Sequence, residues 1–258
     1  MPSWDPAIYE RYKAYRDRPA LDLLLQAPRD LEPREIWDLG CGTGEHAAVL
    51  AARHPHARVH GLDSSPDMLA AARKRNASVD WVLADAAGFA PDVPPDLIFS
   101  NAALHWLPDH GSLFPRLART LSDVGVFACQ MPLSWTSDWH VALRETAVAD
   151  PRWADQLKDL RGVRPTADQD AYYDWLSPIC SSVDIWSTTY LHVLEGDDPV
   201  VDWMMGTGLR PYLDALPEPT LRAAFLDAYR DRVAQVVPMR ADGVTLFPFP
   251  RLFILASR

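Results

Sequence analysis

Short apolar runs alternate with helical patterns between Arg34 and Met131, and this alternation constrains the fold more than any other feature of the chain. It is typical of βαβ units, in which a helix connects two parallel strands of one sheet. Five strands are predicted here: Glu35–Leu39, Arg58–Leu62, Val79–Ala84, Asp96–Ser100 and Val126–Met131. The sequence therefore predicts an α/β fold built around a parallel sheet.

The helices between these strands have recognisable ends. Glu45–His54 is predicted as a helix because Pro55 stops it, and Ser64 and Ser65 offer an N-cap before the first-turn proline Pro66. Beyond Met131 the rhythm changes to aromatic-rich segments broken by prolines. In that region the sequence predicts strands at Val183–His192 and Leu252–Ala256, and helices at Pro199–Met205 and Leu221–Val236, the last with Thr220 as its N-cap.

We expect a single domain over residues 1–258. It would contain an N-terminal helical segment (1–33), a ligand-binding core (34–131) and two insertions (132–181 and 193–250) that cap the active edge of the sheet. A chain of 258 residues, 48% of them hydrophobic, is long enough to bury such a core without a disulfide or a metal.

Charge and cysteine content exclude several classes of function. The net charge of −10 disfavours a nucleic-acid partner, which needs a cationic surface, and means that an anionic ligand must meet locally placed arginines. The three cysteines show no C-x-x-C spacing, so we expect no metal site and a reducing, cytoplasmic location. No signal peptide or apolar run of membrane-spanning length is predicted, and oligomeric state is not readable from the sequence.

A glycine-rich turn follows the first strand, in the run Asp38-Leu39-Gly40-Cys41-Gly42-Thr43-Gly44. Glycine permits positive φ in such a turn and leaves room for a ligand above it. Asp63 ends the second strand, where a carboxylate can accept bonds from two ribose hydroxyls, and Asp85 ends the third, within reach of an adenine edge. Together these residues outline a nucleoside site at the carboxyl ends of parallel strands.

The D-x-G-x-G-x-G run departs from the dinucleotide fingerprint and resembles the loop of class I S-adenosylmethionine-dependent methyltransferases. That resemblance implies a Rossmann-like sheet of seven strands with an antiparallel last strand, plus helical cap insertions. It also implies S-adenosyl-L-methionine as cofactor and S-adenosyl-L-homocysteine as product. The cofactor-binding residues it suggests are Tyr9, Arg18, Asp38, Gly40, Cys41, Gly42, Gly44, Asp63, Ser64, Met68, Asp85, Ala86 and Asn101.

A closer resemblance, over essentially the whole chain, is to the trans-aconitate methyltransferase family. It is carried by Trp4-Asp5-Pro6, Arg16–Pro19, Asp63–Pro66, Ser100–Asp109, Gln130–Pro132, Val183–Trp186, Gly206–Tyr212 and Phe249–Phe253. Two departures are Thr43, where the family often has proline, and Asp85–Gly88, in place of an acid-hydrophobe-arginine run. The resemblance implies methyl esterification of a carboxylate on a small tricarboxylic acid, with trans-aconitate as the expected substrate.

A carboxylate already carries the nucleophilic lone pair, so no catalytic base is expected and positioning would supply most of the rate. Arginine is the best partner for the carboxylates that do not react. The predicted substrate-binding residues are His105, Trp106, Gln130, Tyr172, Trp203, Arg210 and Arg251. For the arginines the competing interpretation is an ion pair, and for the aromatic residues it is plain packing.

Three alternatives to this function stay open. The chain could be another small-molecule methyltransferase in which His105 or His140 is a general base. It could also bind S-adenosylmethionine without transferring a methyl group. A nicotinamide oxidoreductase fits the glycine spacing less well.

Overall fold

The structure is a computed structural model, and it describes residues 13–28, 30–76, 78–160 and 166–258. Within these residues the strands are β1 (Glu35–Leu39), β2 (Arg58–Asp63), β3 (Asp80–Leu83), β4 (Leu97–Asn101), β5 (Val126–Pro132), β6 (Ser182–Glu195) and β7 (Val244–Ser257). The α-helices are α1 (Lys13–Gln26), α2 (Glu45–Arg53), α3 (Pro66–Arg75), α4 (His110–Thr120), α5 (Asp138–Ala149), α6 (Pro151–Ala154), α7 (Gln169–Leu176), α8 (Pro199–Met205), α9 (Arg210–Asp214) and α10 (Pro219–Val236).

The strands form one seven-stranded sheet in the order β3-β2-β1-β4-β5-β7-β6. The pairs among β1 to β5 are parallel, and β7 pairs with β5 in the antiparallel direction, from Val126↔Ser257 to Pro132↔Arg251. The crossover connections between parallel strands place helices on both faces of the sheet. The central strands are therefore buried on both faces, as β4 and β5 are along most of their length. The predicted seven-stranded sheet with its antiparallel last strand is confirmed.

Local signals explain where the central helices begin and end. Helix α2 starts after Gly44, whose φ of 82° is left-handed, and it stops two residues before Pro55. At α3 the predicted cap is confirmed for Ser65, whose side chain accepts a hydrogen bond from the Met68 N–H at 3.3 Å. These ends place the start of each helix beside the carboxyl end of the preceding strand.

Two boundary predictions in the second half of the chain are wrong. Thr220 is not the N-cap of α10, because the helix begins at Pro219 and Glu218 takes the cap position; proline suits the first helical residue since its φ is already helical. The last strand is also much longer than the predicted Leu252–Ala256. Its first half was not predicted because Pro248 and Pro250 lack the N–H that a strand donates to its neighbour, and prolines therefore argue against a strand.

The Cα positions divide the chain into two units. The sheet unit comprises residues 18–132, 165–188 and 251–258; the second unit comprises residues 133–164 and 189–250 with the start of α1, in each case as far as the structure describes them. Helix α7 lies in the sheet unit, although the sequence assigned its residues to a cap insertion. The expectation of a single domain stays a prediction.

The second unit has an aromatic core of its own. Its largest fully buried side chains are Trp139, Trp153, Trp203, Phe225, Tyr229 and Phe247. Two of these side chains donate hydrogen bonds to main-chain carbonyl groups. Trp153 Nε1 donates to Thr146 O at 2.8 Å, and the Tyr229 hydroxyl donates to Trp139 O at 3.2 Å. Three of the six tryptophans beyond Met131 are buried in this core, where their large apolar rings contribute much of the buried surface.

Candidate functional site

The turn after β1 is built from glycines that adopt left-handed backbone angles. Gly40, Gly42 and Gly44 have φ values of 74°, 55° and 82°, which other residues rarely adopt. The N–H groups of Gly40 and Cys41 both donate to Leu62 O, at 2.8 and 3.0 Å, and so tie the turn to β2.

Gly40 and Gly42 meet different surroundings. A Cβ on Gly40 would overlap with the Cβ of Ala103, whereas a Cβ on Gly42 would meet no atom within 4 Å. Gly40 is thus needed for close packing, and Gly42 leaves open space above the turn.

Asp63, at the end of β2, holds this turn in place. One carboxylate oxygen accepts from the Gly42 N–H at 2.9 Å, and the other accepts from the Ser65 N–H at 2.8 Å. A carboxylate oxygen has two lone pairs, so each can still accept a bond from a ligand. Asp63 therefore links the glycine turn to the start of α3 and keeps acceptor capacity at the edge of the sheet.

Asp38 is the most strongly perturbed acid of the site. It is 1% exposed, and its Oδ2 has no hydrogen-bond partner among the described residues. Burial raises the pKa of Asp38 to about 7, the Asp63 charge adds to the rise, and His46 opposes it. A buried carboxyl group poised near neutrality at the end of β1 is typical of a ligand-binding position.

This pKa predicts an unusual pH dependence of stability. Because the folded state keeps a proton on Asp38 up to about pH 7, whereas the unfolded chain loses it near 3.8, the carboxyl lowers the free energy of unfolding as pH rises between these values. We expect Asp38→Asn to gain stability over wild type by roughly 1.4 kcal/mol per pH unit in that window. Urea unfolding of both proteins at pH 4.5, 5.5, 6.5 and 7.5 measures the difference. Parallel curves would contradict the raised pKa.

A row of polar side chains crosses the sheet near the carboxyl ends of its strands. Registered partners point to the same face, and residues two apart on one strand do so too. The register Gly61↔Asp38↔Phe99, Asn101↔Gln130 and Pro132↔Arg251 therefore brings five side chains to one face. This polar row consists of Asp63, Asp38, Asn101, Gln130 and Arg251.

Several buried polar atoms in and beside the polar row lack partners among the residues that the structure describes. They are Oδ2 of Asp38, Oδ1 of Asn101, Nδ1 of His105, and both Oε1 and Nε2 of Gln130. Leaving a buried polar group without a partner costs about 1–3 kcal/mol, so such groups are rare in folded proteins. Their concentration at one edge makes this edge the candidate site for a polar ligand.

His105 sits beside the end of the row on a 3-10 turn, Leu104–Trp106. Burial and the neighbouring Arg251 guanidinium lower its pKa to about 3, with a smaller contribution from His110. The imidazole is therefore neutral at pH 7. Arg251 itself is only 4% exposed, so the row ends in a buried cation.

The backbone leading to this turn is strained. Ala102 has a left-handed φ of 51°, and its N–H donates to Gln130 O at 2.9 Å. A non-glycine residue in this region costs about 1–2 kcal/mol and is found most often where function fixes the backbone. The sequence carried no signal of this feature, because alanine has no special preference for it.

The remaining residues predicted to bind the cofactor differ in environment. Cys41 is buried, and burial raises the pKa of its thiol, which makes it unreactive. Asp85 caps the short turn Ala86–Gly88, accepting from the Ala87 N–H at 2.8 Å. Ser64 is exposed, Met68 is half-buried, and Arg18 is exposed with its Nε 3.7 Å from Asp22. Tyr9 lies outside the described residues.

The predicted substrate residues fall into two groups. Gln130 and Arg251 share one face of the sheet, and the Arg251 charge acts on His105. Trp106 has a half-exposed ring whose centroid is 4.7 Å from that of His105. Tyr172, also in the sheet unit, is fully buried, and its hydroxyl bonds to His110.

Two predicted substrate residues lie in the second unit. Trp203 is 1% exposed within the aromatic core there, and Arg210 has its Nε 3.9 Å from Asp214. His140, the alternative general base, is in the same unit, where burial lowers its pKa to about 4.

Over the described ranges, no three His, Cys, Asp or Glu side chains are grouped so that they could hold a metal ion. In the same part of the chain, no helix combines the length and apolarity needed to cross a membrane.

Known proteins resemble this chain in family, in fold and in sequence over the full length. A family described as a methyltransferase domain matches residues 36–125. The fold is similar to the YcgJ protein of Bacillus subtilis (TM-score 0.60, 16% identity, covering 93% of this chain and 98% of that one) and to the plantazolicin methyltransferase BamL, solved with S-adenosylhomocysteine (TM-score 0.53, 16% identity, covering 98% and 88%). The trans-aconitate 2-methyltransferase of Acidovorax sp. strain JS42 is 46% identical, over 100% of this chain and 99% of that protein. The chain belongs to the trans-aconitate 2-methyltransferase family.

Proposed function

We propose that the protein transfers a methyl group from S-adenosyl-L-methionine to a carboxylate of a small tricarboxylic acid, trans-aconitate above all. The observation that carries this proposal is the polar row, with its unpartnered buried atoms and the buried guanidinium of Arg251 at its end. The name shared by the relatives at 43–46% identity supports the choice of acid.

The residues around the glycine turn fit the cofactor. Open space above Gly42 leaves room for a ligand, Asp63 retains acceptor capacity for ribose hydroxyls, and Asp38 offers a buried oxygen to a cationic amino-acid group. When bound, S-adenosylmethionine supplies an electrophilic methyl group on a sulfonium. We assign cofactor contacts to Asp38, Gly40, Cys41, Gly42, Gly44, Asp63, Ser64, Met68, Asp85, Ala86 and Asn101, with Tyr9 and Arg18 on the N-terminal segment.

The far end of the polar row fits a carboxylate. Arg251 provides a guanidinium, which binds carboxylates through paired N–H groups, and the Gln130 amide can donate a further bond. Neutral His105 can donate from one ring nitrogen without competing for the charge of Arg251. These three residues would hold the carboxylates that do not react, and so orient the one that does.

The lowered pKa values of two histidines argue against general-base catalysis. A base works best when its pKa lies near the working pH, and the pKa values of His105 and His140 lie near 3 and 4. A carboxylate acceptor needs no base, because it is already ionised at neutral pH. Orientation of the acceptor can then supply roughly 7–11 kcal/mol of the barrier reduction. Trp106, Trp203 and Arg210 remain proposed contacts for the rest of the acid.

A methyl-transfer assay on a panel of acids tests the proposal. We expect turnover of trans-aconitate with kcat/KM at least about tenfold above cis-aconitate, isocitrate and citrate, since the guanidinium and the amide are fixed in buried positions and match one arrangement of carboxylates. Mass spectrometry of the product should show one methyl ester that an esterase removes. A product methylated on a group other than a carboxylate, or S-adenosylmethionine binding without turnover of any acid, would overturn it.

A further inference from the structure

His110, the first residue of α4, is bonded on both sides of its imidazole ring. Nε2 lies 3.0 Å from Leu104 O, and Nδ1 lies 2.6 Å from the Tyr172 hydroxyl on α7. The Tyr172 oxygen in turn accepts from the Ala167 N–H at 3.1 Å. His110 is 8% exposed and Tyr172 is fully buried, so water does not compete for these bonds.

The chemistry of the partners fixes every hydrogen in this network. Leu104 O can only accept, so Nε2 of His110 carries the hydrogen and donates. Nδ1 of the neutral ring is then an acceptor, and the Tyr172 hydroxyl donates to it. Burial lowers the pKa of His110, which is consistent with a ring that stays neutral. One tautomer of His110 therefore provides both a donor for Leu104 O and an acceptor for the Tyr172 hydroxyl.

These hydrogen bonds hold in place the turn that carries His105. Leu104 O accepts from both His110 and the Leu107 N–H, which uses its two lone pairs. The other end of the segment is held where Ala102 N–H donates to Gln130 O and where Ala103 packs against Gly40. The Leu104–Trp106 turn is thus fixed from the sheet on one side and from α4 and α7 on the other.

We propose that Tyr172 and His110 are positioning residues that hold the Leu104–Trp106 turn, and with it the His105 side chain, at the acid-binding end of the polar row. This inference rests on the proposed function. It also gives Tyr172 a different role from the predicted substrate contact, because its hydroxyl is committed to His110 and Ala167.

The test removes only the hydroxyl, in Tyr172→Phe. We expect the KM for trans-aconitate to rise about tenfold, since the loss of the donor frees His110 to turn. The kcat and the Kd for S-adenosylhomocysteine should stay within about twofold of wild type, because the glycine turn and Asp63 are untouched. The matched control is Tyr173→Phe, which removes the hydroxyl of an exposed neighbour on the same helix and should change none of these values.

A second measurement needs no mutant enzyme activity. Nitrogen-15 NMR of the histidine rings in the wild-type protein, with His110 assigned through His110→Gln, should show a neutral ring protonated on Nε2 at pH 7. A charged ring or the Nδ1 tautomer would overturn the inference even if Tyr172→Phe failed to fold. So would a folded Tyr172→Phe enzyme with wild-type KM for the acid. If wild type methylates no acid while the predicted tautomer is found, the proposed function fails and the hydrogen-bond network stands.

Discussion

Replacing Arg251 with methionine is expected to raise the KM for the acid about 10²–10³-fold. Truncating one partner of a buried, hydrogen-bonded charge pair costs about 2–5 kcal/mol, and Arg251 is buried at the end of the polar row, where a carboxylate would be its partner. Methionine keeps most of the volume and the apolar stem. The Kd for S-adenosylhomocysteine should stay near the wild-type value, because the glycine turn and Asp63 are unchanged. Steady-state kinetics and calorimetry measure the two quantities.

Two further arginine variants separate the effect of charge at this position from the effect of charge elsewhere. Arg240→Met removes an exposed guanidinium whose Nε is 3.4 Å from Asp242, and it should leave the KM unchanged. Arg210→Met tests the other predicted arginine, and we expect a smaller loss because its side chain is partly exposed. Wild-type KM values in both Arg251→Met and Arg210→Met would refute the assignment of the acid site.

The second large effect is expected at Gly40 and Gly42, where the same substitution should mainly reduce stability at the first position and mainly weaken ligand binding at the second. In Gly40→Ala the new methyl group overlaps with the Cβ of Ala103 and the residue is left-handed. Overpacking costs about 1–3 kcal/mol and the left-handed angle about 1–2 kcal/mol. We therefore expect Tm to fall by on the order of 10 °C. Thermal unfolding followed by circular dichroism measures the change.

Gly42→Ala carries only the cost of the backbone angle, because its methyl group meets no atom of the protein. It should lower Tm by only a few degrees, yet the methyl group enters the space above the turn and should weaken S-adenosylhomocysteine binding at least about tenfold. The double variant Gly40→Ala/Ala103→Gly removes the overlap and should recover part of the lost stability. If Gly40→Ala were as stable as Gly42→Ala, the close approach of Ala103 would not be present in solution.

The central part of the fold was predictable from the sequence because its signals are local. Each parallel strand is a short apolar run between turn residues, and β1 matches its predicted range residue for residue. The second half of the chain was harder, since its aromatic segments form a core through contacts between residues far apart in sequence. Helix α7 illustrates this: nothing in its residues indicates that it packs in the sheet unit rather than with its neighbours in sequence.

The candidate site shows the same division. The glycine turn and the acid at the end of β2 form a pattern that can be read along the chain, and the structure joins them through the bond from Gly42 to Asp63. The register that aligns Asn101 with Gln130, and Pro132 with Arg251, depends on strand order and could not be derived from spacing. His110 escaped notice for the same reason, because its partner Tyr172 is 62 residues away.

The polar row has a consequence for insertions and deletions. Its side chains come from β1, β2, β4, β5 and β7, and each faces the ligand only because of its place in the alternation of its strand. One residue added to or removed from any of these strands would turn the side chains beyond it to the opposite face. Changes of chain length that preserve activity should therefore be confined to the connections, and acid preference should evolve by replacing side chains in place.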